Sequence, residues 1–149
     1  MEMMGVSVKE CKFSGLIVET GASIKATQCE FSENGAGVNV RGGSKGIITD
    51  CSTHHNGGRG VLAYGEGSLV ELRGKQTEIH HNGKTGGLRA STNCIINIYI
   101  PSQPITALVH DNEDDDDLAT YSGGKIQSQL SLSSLELTVI HRGGNPVAH

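Results

Sequence analysis

Small or aliphatic residues recur along this chain at one point of successive segments, and the polar residues between them recur with them. Cys29 opens CEFSENGAGVNV, Cys51 opens CSTHHNGGRGVLA, Thr77 opens TEIHHNGKTGGLRA and Ala107 opens ALVHDNEDDDDLAT. Five positions on stand Asn34, Asn56, Asn82 and Asn112, and four to six positions after each Asn stand Val38, Val61, Leu88 and Leu118. The Asn residues are 22, 26 and 30 positions apart. A constant local pattern at lengthening intervals predicts strands that are kept while loops grow.

Period-two alternation divides each repeat into three short strands. First strands fall at 16–18, 38–40, 61–63, 88–90 and 118–120, each followed by a turn signal such as Gly42-Gly43 or Gly123-Gly124. Second strands fall at 6–8, 24–26, 46–48, 69–72, 95–100 and 126–128, and third strands begin at Cys11, Cys29, Cys51, Thr77 and Ala107. Alternation turns Cys11/Phe13, Cys29/Phe31, Cys51/Thr53, Thr77/Ile79 and Ala107/Val109 inward. Facing outward are Ile17, Asn39, Leu62, Arg89 and Ala119 on the first strands, and Lys12, Glu30, Ser52, Glu78 and Leu108 on the third. Like residues stacked on like, rung upon rung at about 4.8 Å, define an all-β parallel solenoid of about five coils with three short strands per coil. Helices need 3.6-residue periodicity, and an antiparallel sandwich would not repeat one residue at one point of successive units.

Composition agrees. There are 21 Gly, no Trp, two Phe and three Tyr in 149 residues, which suits a chain that turns often around thin aliphatic layers. The coil stack is expected over residues 1–128. Residues 129–141, with Leu130, Leu132, Leu135, Leu137 and Val139, predict a terminal strand or cap, and 142–149 a loose tail with Gly143-Gly144 and Pro146. With 6–8 read as a second strand, the chain opens in mid-coil, so a longer protein or a second chain is expected to cover the N-terminal face.

The run C-x-F/I-x-x-N-G, then G-V/L-x-V/A, then a Gly-rich turn and an aliphatic strand resembles the repeat of right-handed parallel β-helix proteins over about residues 6–128. That family includes pectate-lyase-like polysaccharide enzymes, alginate epimerases and the β-helix region of certain F-box proteins. The resemblance implies that Asn34, Asn56, Asn82 and Asn112 form a ladder of stacked amides. It implies a fold and leaves function open.

A net charge of -4 without a basic stripe argues against nucleic acid. No apolar run is long enough to cross a bilayer, and no signal-peptide pattern opens the chain, so a cytoplasmic location is the expectation. Four Cys match no zinc signature, and a reduced thiol stack of Cys11, Cys29 and Cys51 is expected.

Candidate chemistry is sparse. His54-His55, His80-His81 and His110-Asp111 stand just before the turn Asn in three coils, and alternation points His54, His80 and His110 outward as one exposed column above Ser32. Imidazoles about 5 Å apart suit a transition metal or an anionic ligand. The competing and simpler reading is a polar turn residue copied with the repeat. Glu113 and the four Asp after it read as a solvated acidic loop, since no calcium-loop spacing is present.

For catalysis, Glu30 and Glu78 stand two rungs apart with Ser52 between them, but neither has a neighbour that would raise its pKa. Arg73-Gly74-Lys75 reproduces a string of polygalacturonases without its companion elements. No catalytic residue and no cofactor are therefore assigned. The expectation is a non-catalytic binding or scaffolding module with a protein or polysaccharide partner, and the alternative is a carbohydrate-active enzyme. Tyr64, Tyr99 or Tyr121 on a groove would favour saccharide, whereas an apolar patch begun by Ile17 and Leu62 would favour protein.

Overall fold

The computed structural model describes residues 1–84, 86–99, 104–113, 117–129 and 138–142. Five strand triplets follow one another, so five rungs stack with four turns between them. They are β1 (Glu2–Met4), β2 (Ser7–Lys9) and β3 (Ser14–Val18); β4 (Ser23–Thr27), β5 (Glu30–Ser32) and β6 (Ala36–Arg41); β7 (Lys45–Thr49), β8 (Ser52–His54) and β9 (Val61–Tyr64); β10 (Leu69–Arg73), β11 (Glu78–His80) and β12 (Leu88–Ser91); β13 (Ile95–Tyr99), β14 (Val109–His110) and β15 (Leu118–Tyr121). β16 (Lys125–Gln129) extends the stack, and β17 (Thr138–Arg142) lies antiparallel on it. Corresponding strands of successive coils pair in parallel, giving one sheet from β1, β4, β7, β10, β13 and β16, one from β2 to β14 and one from β3 to β15. Leu130, Leu132, Leu135 and Leu137, and the tail from residue 143, lie outside the described residues.

Inward side chains of the three sheets fill a narrow apolar column. Phe31, Val38, Ile48, Leu72, Ile79, Leu88, Ile96, Ile98 and Ile126 are all fully buried. Cys29 and Cys51 stack there as free thiols, and burial pushes the Cys51 thiol up to about 11, which leaves it unreactive.

The Asn ladder is continuous. The backbone N–H of Asn34 donates to Asn56 Oδ1 (3.0 Å), that of Asn56 to Asn82 Oδ1 (3.3 Å) and that of Asn82 to Asn112 Oδ1 (3.0 Å). Each Nδ2 reaches back to a strand carbonyl of the preceding coil: Val8, Phe31, Thr53 and Ile79. Asp117 ends the series, its Oδ1 accepting from the N–H and the Nδ2 of Asn112 as another Asn would. The left-handed turn residue is the one before each Asn, namely Glu33, His55, His81 and Asp111 with φ of 53–58°, and not the Asn itself.

The first coil departs from the sequence reading. Val8 pairs with Phe31 in the third-strand sheet, and the second strand of this coil is Glu2–Met4, so residues 6–8 are not a second strand. Cys11 leaves the thiol stack and takes the ladder position, its N–H donating to Asn34 Oδ1 at 2.9 Å, while Phe13 is 74 % exposed. The spacing explains this: the ladder residue stands three positions after the core side chain in every coil, as Asn34 does after Phe31, and the same step from Val8 reaches Cys11. Ser7, not Lys12, is therefore the rung partner of Glu30. In the fifth coil Ala107 is exposed, because Ile105–Leu108 forms one helical turn after Pro104 that buries Leu108 instead.

Candidate functional site

β8, β11 and β14 end at His54, His80 and His110, in register with Ser32 below them. The rings stack with centroids 5.1 and 5.4 Å apart and planes within 9° of parallel. The left-handed turn then swings the next residue alongside, producing a second column in which His55 and His81 stack at 5.2 Å, with Asp111 beside His110. His54 Nδ1 lies 2.7 Å from His55 Nδ1, and His80 Nδ1 2.6 Å from His81 Nδ1. This second column covers the first, whose side chains are only 18–30 % exposed. Strand alternation misplaces His55 and His81, since it does not continue through a left-handed residue.

Carboxylates brace the array. Glu30 Oε2 meets His54 Nε2 at 2.9 Å, and Glu78 Oε1 meets His110 Nε2 at 3.0 Å. Burial first, then Coulombic repulsion from His54, His81 and His110, pushes the His80 imidazole below its ordinary value against the pull of Glu78. A bond to Asp111, and then Glu78, raises that of His110. Glu30, held first by His54 and then by Ser7 and Lys9, falls from 4.5 to about 2. A depressed carboxyl stabilises the native state above its ordinary pKa, and this contribution is lost as the pH falls from about 4.5 toward 2. Glu30→Gln is accordingly expected to flatten the acid limb of a plot of urea midpoint against pH in that window. Parallel curves for variant and parent would refute the assignment.

Of the acidic loop, residues 114–116 lie outside the described residues, and Asp117 serves the ladder. Arg73 is bonded to the buried Glu71, which Lys45 also meets, and stacks on Tyr99 at 4.4 Å, so it braces the second-strand sheet.

A different face forms a groove. Outside the first-strand sheet, Ile17, Asn39, Leu62, Arg89 and Ala119 align, and beside them run Arg41, Tyr64, Ser91 and Tyr121. A hollow of about 340 Å³ opens between Asn39, Arg41, Arg59, Leu62, Tyr64, Arg89 and Ser91. Arg41 is ion-paired with Glu19 at 2.9 Å, and Arg89 stacks on Tyr121 at 4.3 Å. Arg59 has no carboxylate partner among the described residues, and burial, then the charge of Arg89, lowers its pKa. Its Nε and the Asn39 Oδ1 are buried without a hydrogen-bond partner. Tyr64 stands 51 % exposed at the rim, and Phe13 and Ile17 continue the face toward the first coil. Arg41 was legible as the residue two past Asn39 on one strand. Arg59 comes from a loop and carried no periodic signal.

The stacked parallel coils, three sheets and Asn ladder define a β-solenoid. The sequence profile of a right-handed β-helix region matches residues 14–104, and the chain belongs to that family. Curated proteins and solved structures give no match.

Proposed function

We propose that this β-helix is a non-catalytic binding module that takes an anionic glycan, carboxylated or sulfated, along the outer face of its first-strand sheet. The observation that carries this reading is Arg59: a half-buried guanidinium with an unsatisfied Nε, facing Arg41 and Arg89 across a groove and with no carboxylate partner of its own among the described residues. An incoming carboxylate or sulfate supplies both the missing acceptor and the missing charge. Exposed Tyr64 offers a flat apolar surface for a sugar ring. Support for a binding rather than a cleaving role comes from the third strands, where Glu30 is held ionised and so cannot act as a general acid.

Calorimetric titration with oligouronates and sulfated oligosaccharides, with neutral oligosaccharides alongside, tests this. Binding of an anionic series, weakened by salt and reduced about tenfold to a hundredfold by Arg59→Gln, is expected. Binding indifferent to Arg59, or equal for neutral chains, would refute the groove. Appearance of unsaturated or shortened products would replace the module by an enzyme.

A further inference from the structure

We propose that His54 and His55 chelate one square-planar transition-metal ion, copper(II) or nickel(II), through their two Nδ1 atoms. This site is on the turn edge and is independent of the arginine groove. Three features of the rung support it.

The tautomer is set in advance. Glu30 Oε2 stands 2.9 Å from His54 Nε2, and a carboxylate only accepts, so the imidazole proton of His54 sits on Nε2. Its Nδ1 is then a bare lone pair, bonded at present by the Nδ1–H of His55 at 2.7 Å. A carboxylate behind a histidine is the outer-shell arrangement that orients metal-ligating imidazoles. Ser7 and Lys9 in turn hold Glu30, at 2.9 and 3.3 Å.

The resting separation of the two nitrogens, that of a hydrogen bond, is compatible with a cis chelate. With metal–nitrogen bonds of about 2.0 Å, two cis nitrogens stand about 2.8 Å apart on a square-planar ion and about 3.3 Å apart on a tetrahedral one. The observed 2.7 Å is close to the first value. His55 is exposed, so moving its own proton to Nε2 and rotating the ring to bring both lone pairs to one point disturbs only its stacking on His81. No group of three His, Cys, Asp or Glu converges among the described residues, which leaves the remaining coordination positions to water.

The neighbouring rung is a weaker copy. His80 and His81 present the same pair at 2.6 Å, but Glu78 meets His80 Nε2 only at 3.4 Å and is engaged by His110. Two divalent ions one rung apart repel, so a second ion binds about a hundredfold more weakly.

The test uses the full chain with His141→Gln and His149→Gln, which removes the other two histidines outside the array. Nickel(II) titration by calorimetry is expected to show one tight equivalent, with zinc(II) weaker. His55→Asn, tolerant of the left-handed backbone, removes that equivalent, and Glu30→Gln weakens it about tenfold to a hundredfold. Paramagnetic broadening by copper(II) that is strongest at the His54 and His55 ring signals and weakens through His80 and His81, one rung away, to His110 gives a second readout. Unchanged nickel binding in His55→Asn, zinc binding as tight as nickel, or broadening strongest at His80, His81 or His110 would each overturn the proposal.

Discussion

Asn56→Ala is expected to destabilise the chain by about 3–5 kcal/mol, because it strips hydrogen bonds from a site that water does not reach. Asn56 is 2 % exposed. Its Oδ1 accepts the Asn34 N–H, and its Nδ2 donates to Phe31 O (3.1 Å) and to Asn82 Oδ1 (2.9 Å). Alanine leaves the Asn34 N–H and the Phe31 carbonyl buried without those partners, at about 1–3 kcal/mol each, and opens a void beside them. Asn34 serves only the half-buried Cys11 N–H and the Val8 carbonyl at the exposed end of the stack. Asn34→Ala is therefore expected to cost less, about 1–2 kcal/mol. Urea denaturation of the two variants gives the comparison, and equal losses would mean that the ladder is not the source of the effect.

Gly60→Ala is the second large effect, expected at about 2–4 kcal/mol. A Cβ at Gly60 would stand 2.6 Å from Asn82 Nδ2, 2.6 Å from Ile79 Cγ2 and 2.9 Å from the Gly87 carbonyl. The φ of Gly60 is not positive, so alanine is excluded by space rather than by conformation. Each coil repeats the arrangement: Gly15, Gly37, Gly60 and Gly87 lie under the Nδ2 of Asn34, Asn56, Asn82 and Asn112 in the coil above. Relieving the clash moves a ladder amide and the rung that carries it. Gly21 provides the contrast, with φ of 71° and nothing within 4 Å of its Cβ position. Gly21→Ala meets only backbone strain, about 1 kcal/mol. Thermal unfolding in which Gly21→Ala lowered the Tm more than Gly60→Ala would contradict this account.

Much of the fold was readable because a parallel coil stack writes itself into a sequence as repetition. Val38, Val61, Leu88 and Leu118 recur because each sits directly above the last, and the same logic aligns the four Asn. Coil number, the first strands of all five coils and the strand triplets of the second to fourth coils followed from those identities alone. Even the glycine before each of the first four first strands was visible as a motif, although its reason was not: the amide it makes room for belongs to the next coil, 19–25 residues away.

Tertiary structure decided what local pattern left ambiguous. Residues 6–8 carry an alternation that fits either of two sheets, and only pairing of Val8 with Phe31 and closure of Cys11 onto Asn34 chose between them. Ala107 fitted an inward position until the turn after Pro104 delivered Leu108 to the core. The outer histidine column exists because the residue before each Asn adopts left-handed φ, which period two does not anticipate. The arginine groove is the extreme case. Arg41, Arg59 and Arg89 stand 18 and 30 residues apart, on two strands and a loop, and nothing in their local sequence relates them. Repetition determines which rungs stack, because every coil must bury the same face. Where an irregular side chain meets its counterparts depends on loop paths between rungs, and those are set by the packed coil.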